Sequence, residues 1–571
     1  MKIFFKDKER QKKIIWEIIA IILIVFFAVS LSPKRLQNDT FYTVSIGKLI
    51  LENGIDMQDH FSWHNLPYTY PHWLYDVMIY SIYNIGGWTG VYVSTCVFAS
   101  ILGVCIYFVN SRLSKNKITS FLVTIAVLYL IKSYIAARAQ LVTFILFILL
   151  VYNIEKFLEN KKIKYALALF AIQTLIANLH VAVWPFSFVL YLPYIAEYLL
   201  CELADFIFYN KAGIFINKLK IKIYKNKCKN KNNSTEKLEK LKNRINKVEE
   251  ELEKIQARNI KIEAKRKGNA ENTYKIEMHK NKNTRWLMLV MAITAITGLL
   301  TPLGKVPYTY TYLTMIGNTM KNINEHLPLT LADNIPIMCT LIVILAVLTF
   351  TKAKIKLSDL FMLGGLTYLM FATRRQQSMF VLIGSVAFTR IVTDFLKLSL
   401  YASVDQIDEK LINKFTVFVI IAIIIIWGIH YFKERKNEDF IDKKAYPVEA
   451  SEWILNNLDV KNIKLFNEYN YGSYLLYKGI PVFIDSRCDL YAPEYNTPTG
   501  NSDDGEDIFS DFINSSGIGT YYGDIFKKYE ITHVIVYKNS KINMLIEKAD
   551  SEKYKELYSD DNFVIYKVLE Y

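Results

Sequence analysis

The feature that most constrains this chain is a series of blocks that are apolar on every face. Ile14–Leu31, Phe121–Ile131, Leu141–Tyr152 and Phe415–Trp427 show neither the alternation of a half-buried strand nor the narrow stripe of a surface helix. A helix that is hydrophobic all round, approaching the roughly 20 residues that cross a bilayer, is at home in lipid. The mean hydropathy of +0.16 understates this because polar stretches dilute it. Spans are expected at 14–31, 88–109, 117–136, 139–156, 163–179, 183–203, 286–302, 334–351, 357–373, 377–398 and 414–432, about eleven in all. The first block reads as a retained span. It is followed by Pro33-Lys34-Arg35, where a cleaved signal would have small residues.

Charge orients the spans. Short loops rich in Lys and Arg stay on the cytoplasmic side. Lys6–Lys13, Arg112–Lys117, Lys156–Lys162 and Lys352–Lys356 fall on one side of the expected topology. Segment 205–285 holds 23 Lys/Arg against 10 Asp/Glu and joins them, whereas the tail from Lys436 holds 15 against 24 and falls outside. The net charge of +15 therefore marks membrane orientation and gives no case for a nucleic-acid partner. Segment 72–87 is not expected to cross, because Gly86-Gly87 cuts it short.

Four regions follow: 1–204, a membrane region with a large outer loop at 32–87; 205–285, a basic insertion; 286–435, a second membrane region; and 436–571, a soluble domain. In the insertion, Leu238, Leu241, Ile245, Val248, Leu252 and Ile255 repeat at heptad spacing. That pattern predicts a solvated helical hairpin or a coiled coil that docks a cytoplasmic partner. Its lysines would favour anionic headgroups. In the tail, short apolar runs at 463–466, 482–484, 533–537 and 563–568 read as strands. Helices are expected at 447–456, 507–515, 522–529 and 542–548, giving a small α/β domain. The six cysteines are scattered and suggest neither a metal framework nor disulfides.

The outer ends of the spans carry the polar chemistry. Asp39 opens a helix in which Tyr42, Ile46, Leu49 and Ile50 share one face and Gly54 suits the end, as in a helix lying in the interface. Asp39 reads as an N-cap, as a carboxylate that takes a proton from an acceptor hydroxyl, or as both. Asp59, His64 and His72 follow in the same loop; their spacing, with His60, matches no compact metal site. Arg138, His180, Glu325, His326, Arg374 and Arg375 sit between spans on the side where basic residues should be scarce. A single arginine there can simply snorkel to lipid. As a set, these residues suit a phosphate, which a guanidinium grips with two parallel hydrogen bonds. Asp485 and Arg487 form a tail pair that reads as acceptor-binding or as a structural ion pair.

These residues carry a resemblance. Asp39-Thr-Phe-Tyr42, Gly47-Lys-Leu-Ile50, Asp59-His-Phe-Ser62, Trp73-Leu74, Arg138-Ala-Gln140, Asn178-Leu-His180 and Phe483-Ile-Asp-Ser-Arg487 together resemble bacterial multispan proteins of the C-type (GT-C) glycosyltransferase superfamily. Protein O-mannosyltransferases and aminoarabinose lipid A transferases are more distant relatives of that group. The single leading acid departs from the Asp-Glu pair of the mannosyltransferases. The resemblance covers most of the chain outside about 205–285. It implies an enzyme of the bacterial cytoplasmic membrane that moves a sugar from a polyprenyl-phosphate carrier to an envelope glycan, lipid or protein on the outer face. Asp39 would be the base, and Arg138, His180, Arg374 and Arg375 would hold the phosphate. Asp59, His64, His72, Glu325, His326, Asp485 and Arg487 would line the cleft or hold the acceptor. No cofactor is required on this reading, a divalent metal being the one conceivable addition. The readings from other classes are a flippase or polymerase component for lipid-linked glycans and a non-catalytic scaffold of envelope assembly.

Overall fold

A computed structural model of the chain describes residues 2–229, 235–268, 275–317, 323–401, 403, 414–496 and 505–571. The fold is mostly helical. Every expected span is helical over most of its length, and five stretches among the described residues are long and apolar enough to cross a membrane: Ile14–Leu31, Trp73–Ser114, Ala139–Asn160, Val181–Phe208 and Arg374–Ser399.

The first helix, α1 (Lys2–Leu31), shows why lipid is the fitting solvent. Ala20, Ile24, Phe27 and Leu31 are fully buried against neighbouring helices. The opposite face carries Ile14, Ile18 and Ile22, 47, 53 and 61% exposed. A helix with apolar side chains both inside and outside its bundle is stable where the outside is also apolar.

Helix α2 (Asn38–Asn53) follows at once. It does not lie free in an interface as its amphipathic face suggests. It is packed between α3 (Trp73–Ser114) and the tail helix Tyr469–Tyr477, with Thr40 through Val44, Ile46 and Gly47 buried. Phe41 makes edge-to-face contacts with Trp88, Tyr446 and Tyr474 at 5.5, 5.0 and 5.2 Å. Sequence periodicity sees one apolar face; the tail supplies the second cover. Helix α3 begins at Trp73, so the segment expected to fall short of a crossing is helical. It is broken at Gly87, whose backbone (φ 56°, ψ −152°) leaves the helical region and enters a conformation open to glycine. The first part packs on α2, and the part after Gly87 continues the apolar run.

Helices α4 (Lys117–Leu130), α5 (Ala139–Asn160), α6 (Ile163–Leu179), the short α7 (Trp184–Val189) and α8 (Leu192–Phe208) complete the helices before the insertion. A charged cluster ties them to helices that follow the insertion. Arg390 of helix Gln377–Ser399 meets Glu155 of α5 at 3.0 Å and Asp359 of helix Leu357–Ala372 at 2.7 Å, and Tyr194 of α8 donates to Glu155 at 2.9 Å. Sequence reading expects charges at span ends; Arg390 instead sits well inside its helix.

The insertion is a two-helix hairpin. Helix α9 (Lys211–Cys228) packs along α10 (Thr235–Gly268), and the heptad residues Ile245 and Val248 are buried against it. The seam is thus filled from within the chain. Strands β1 (Ile276–Glu277) and β2 (Ile355–Lys356) pair in parallel and fasten the end of the insertion beside helix Leu357–Ala372.

The tail is an α/β unit around a four-stranded sheet of order β3-β4-β6-β5. Strand β3 (Leu465–Phe466) runs parallel to β4 (His533–Tyr537), whereas β6 (Phe563–Val568) is antiparallel to β4 and to β5 (Tyr554–Ser559). One expected strand needs correction and one strand is unforeseen. Tyr554–Ser559, with Lys555 and Glu556 exposed, is a strand outside the expected runs. The run 482–484 does not join the sheet: Val482 pairs with Ser62 of the loop before α3, its N–H donating to Phe61 O at 3.1 Å. That run is apolar because it is buried between loop and tail.

Candidate functional site

The loops between the helices and the tail enclose a cavity of about 1400 Å³. Its polar rim comes from segments that the sequence scatters over some 450 residues.

Asp39 sits in the first turn of α2. The N-cap is Gln37, in extended conformation, and it makes no side-chain cap bond. The Asp39 carboxylate therefore does not cap the helix; it accepts from Arg138 Nη2 at 2.7 Å. Arg138 is itself the residue before α5, and its extended backbone turns the guanidinium back across the cavity. Its second nitrogen, Nη1, reaches Glu325 Oε1 at 3.3 Å, so one guanidinium bridges two carboxylates from distant segments. Asp39 above all, then Glu325, hold the Arg138 proton more firmly than usual. Burial raises the Glu325 carboxyl, but Arg138 and Arg375 outweigh it and hold the group below its ordinary range.

His180 ends α6 and is buried. Thr143 Oγ1 lies 3.1 Å from its Nδ1, and its ring meets that of His72 edge-to-face at 4.7 Å. His72 is held neutral down to about pH 3, first by burial and then by Arg375 and Arg138. Asn178 serves as an anchor: it accepts from Trp73 Nε1 at 3.2 Å and donates to Leu300 O at 2.9 Å. Arg374 and Arg375 stand in a short 3-10 turn fastened by Arg374 N to Leu327 O, next to the turn bearing Glu325 and His326. Burial, then Arg375, lowers the His326 pKa.

Asp39, Tyr42, His72, Arg138, Gln140, His180 and Arg375 all border one inner recess of the cavity. Buried polar atoms around the larger space, Asn38 Oδ1, His326 Nδ1, Arg374 Nε and Gln376 Oε1, have no protein partner. Such atoms are costly unless something binds them. The lining also includes Phe144 and Phe147 of α5, Phe186 and Val189 of α7, and Leu369 of helix Leu357–Ala372. The space thus combines cationic and polar groups with aliphatic and aromatic ones. Among the described residues no three His, Cys, Asp or Glu side chains converge as metal ligands.

Asp59, His64 and Asp485 lie outside the cavity lining, and Arg487, which borders it, makes with Asp485 the structural ion pair that was one of its two sequence readings. Asp59, Asp485 and Arg487 form a buried network that joins the loop before α3 to the tail. Arg487 meets Asp485 in a two-pronged contact, at 2.9 Å from Nε and 2.7 Å from Nη2, and reaches Asp59 with Nη1 at 2.6 Å. Tyr491 donates to Asp485 at 2.5 Å, and Ser62 N to Asp59 at 2.9 Å. The Asp59 and Asp485 side chains are wholly inaccessible, so neither carboxylate meets an acceptor. Burial opposes the Asp59 charge, but Arg487 and the Ser62 contacts keep its pKa below the ordinary value. His64 is packed on Trp63, Phe483 and Tyr529 and donates from Nε2 to Phe483 O at 2.9 Å; burial holds it neutral down to about pH 4. It, too, is part of the loop–tail contact.

The cavity also has a wall that sequence reading did not assign. Tyr310 of helix Val306–Ile316 donates to Asp489 at 2.6 Å, and Tyr495 donates to Tyr310 O at 2.7 Å. Tyr469 and Glu468 line the same side, and burial pushes the Glu468 carboxyl up to about 7. Asp489 follows Arg487 by two residues, and Gln140 follows Arg138 by two; proximity to those arginines was the available signal.

Neither protein-family models nor curated protein sequences give a match to this chain.

Proposed function

We propose that the chain is a membrane glycosyltransferase of the GT-C type, taking a sugar from a polyprenyl-phosphate carrier at the outer face of the bacterial cytoplasmic membrane. The observation that carries this reading is one carboxylate, Asp39, paired with Arg138 in a polar recess of a cavity whose lining also includes aromatic and aliphatic side chains. An amphipathic donor fits such a space: the prenyl chain lies along Phe144, Phe147 and Leu369, and the phosphate meets Arg138, Arg375, His72 and His180 in the inner recess.

The reaction is a single displacement at the anomeric carbon. The acceptor oxygen forms its bond to that carbon while the bond to the phosphate oxygen breaks. The acceptor proton goes to Asp39, and the polyprenyl phosphate leaves as an anion. Arg138 links the two halves. The guanidinium that holds Asp39 in the resting site is also placed to take the negative charge that grows on the leaving phosphate. As Arg138 turns to the phosphate, Asp39 is released to act as base. Tyr310, Tyr495, Tyr469 and Asp489 of the tail-side wall face the acceptor.

In this reading the chain has about eleven spans, with the amino terminus and insertion inside and the tail outside. A flippase or polymerase component predicts charges buried at mid-span, a placement the Arg390 cluster shares. Asp39, Arg138 and Arg375 instead gather at helix ends around the cavity and favour transfer chemistry. Asp39→Asn in cells should leave the protein at normal level in the membrane, abolish its product among envelope glycans and cause lipid-linked sugar to accumulate. A glycan profile identical to that of cells with the unaltered protein would overturn the assignment.

A further inference from the structure

Helix α9 presents two opposite faces. Asn217, Ile221, Tyr224 and Cys228 turn toward α10 and are wholly or partly buried. On the far side Phe215, Ile216, Leu219 and Ile223 are 68, 48, 47 and 43% exposed. At 100° per residue these four fall within one arc of the helix. Both edges of that arc carry exposed lysines: Lys220 and Lys227 on one side, Lys211, Lys218, Lys222 and Lys225 on the other.

The surroundings say what covers this face. The preceding helix, α8, has its own outward stripe of Leu192, Leu199, Leu203 and Phe206, each about half exposed, within a stretch apolar enough to cross a membrane. Only Tyr209 and Asn210 separate the two helices. Asn210 takes a left-handed conformation, φ 45°, and its side chain caps α9 by accepting from Gly213 N at 3.1 Å. Asn259 of α10 donates to Tyr209 O at 2.8 Å and Lys225 pairs with Glu249 at 3.1 Å, so the hairpin is fastened at the corner and along its length. The apolar stripe of α8 thus passes through a fixed corner into a helix with an apolar face between rows of lysines.

We infer that α9 lies along an anionic lipid surface, its four apolar side chains among the acyl chains and its lysines at the headgroup phosphates. Aliphatic and aromatic residues in the acyl boundary with cations at the headgroup level are what an interfacial helix requires. Lysines near an anionic surface each add attraction that salt screens. Helix α10 is then the polar back of the unit, facing water. The inference stands apart from the catalytic reading.

The test uses the full chain in nanodiscs, with a photo-crosslinking amino acid placed singly at Leu219, Ile223, Ile221 or, as a positive control, Leu203. Lipid adducts are read by mass spectrometry. In phosphatidylcholine mixed equally with phosphatidylglycerol, positions 219 and 223 should give several-fold more lipid adducts than 221, approaching 203. With phosphatidylcholine alone, or with K218E, K220E, K222E and K227E combined, the yield at 219 and 223 should fall several-fold while that at 203 stays. Adducts at 203 without adducts at 219 and 223 would overturn the inference. Equal yields in the two lipid mixtures would overturn its anionic component.

Discussion

Asp39 and Arg138, ninety-nine positions apart in the chain, meet through a 2.7 Å ion pair in the inner recess of the main cavity, and the second nitrogen of Arg138 reaches Glu325. The pair lies between α2 and the loop before α5, so its geometry depends on both being held by other contacts. On the proposed reaction, Arg138→Lys keeps one charge and loses the fork that spans two oxygens. Transfer should fall by about 10²–10³, the usual loss when a preorganised donor at developing charge is removed. Glu325→Gln removes only the second prong and should cost less. Lipid-linked sugar consumed by isolated membranes measures both, and equal losses in the two variants would contradict the ranking.

The buried network Asp59–Arg487–Asp485 should make Arg487 one of the least replaceable residues for stability. Arg487→Met leaves two carboxylates in a place closed to water, and breaking a buried pair in this way typically costs about 3–5 kcal/mol. Thermal unfolding of the detergent-solubilised protein should show a large drop. Adding Asp59→Asn to Arg487→Met removes one stranded charge and should recover part of it. Failure to recover would mean the loss comes from the shape of Arg487, which also lies over the Phe61 and Tyr68 rings.

Gly47 is where α2 and α3 approach most closely. A Cβ there would stand 2.1 Å from the Asp76 carbonyl oxygen and 2.7 Å from Tyr80 Cβ. Gly47→Ala must push the helices apart and should destabilise by about 1–3 kcal/mol, the range for an overpacked core. Because α2 carries Asp39, activity should fall further than stability alone accounts for, and comparing thermal midpoint with transfer rate separates the two.

Glu468 gives a pH dependence. Burial raises its carboxyl from 4.5 to about 7 in the folded protein. An acid whose folded pKa is raised binds its proton more tightly when folded. Its stabilising contribution is therefore complete below about pH 4.5 and is lost as pH rises through about 7. His64, held at about 4 by burial, acts in the opposite sense: its contribution is lost as pH falls below 6.5 toward 4. Between about pH 4.5 and 7 Glu468 makes stability fall with rising pH, against the rise contributed by His64 and the other buried histidines. Glu468→Gln should therefore make the net slope in that window more positive. Unfolding midpoints of both proteins across that window provide the check, and an unchanged slope would count against the assignment.

Which of the polar residues act together was partly legible from their positions at span ends. Arg138, His180, Glu325, Arg374 and Arg375 all border the cavity with Asp39. Their roles were less legible. Asp59 looks like an exposed site carboxylate in a loop, yet it is consumed by Arg487, and of the two readings of Asp485 with Arg487 the structural ion pair is the one observed. Nothing local in sequence reveals that the loop and the tail bury each other. The heptad of α10 likewise looks like a docking seam until α9 is seen to fill it.

The apolar blocks by themselves determined that this is a helical protein with stretches fit for lipid, because the composition of each block is enough to decide its solvent. Charge counts alone likewise marked the insertion and the tail as different regions. Tertiary structure decided that Asp39 pairs with Arg138 instead of capping its helix, that His64 and Arg487 fasten the tail, and that Tyr310 and Asp489 complete the cavity wall. Solvent preference is a property of a segment. A contact between residues far apart in the chain depends on how helices, loops and tail pack, and no window of sequence contains that information.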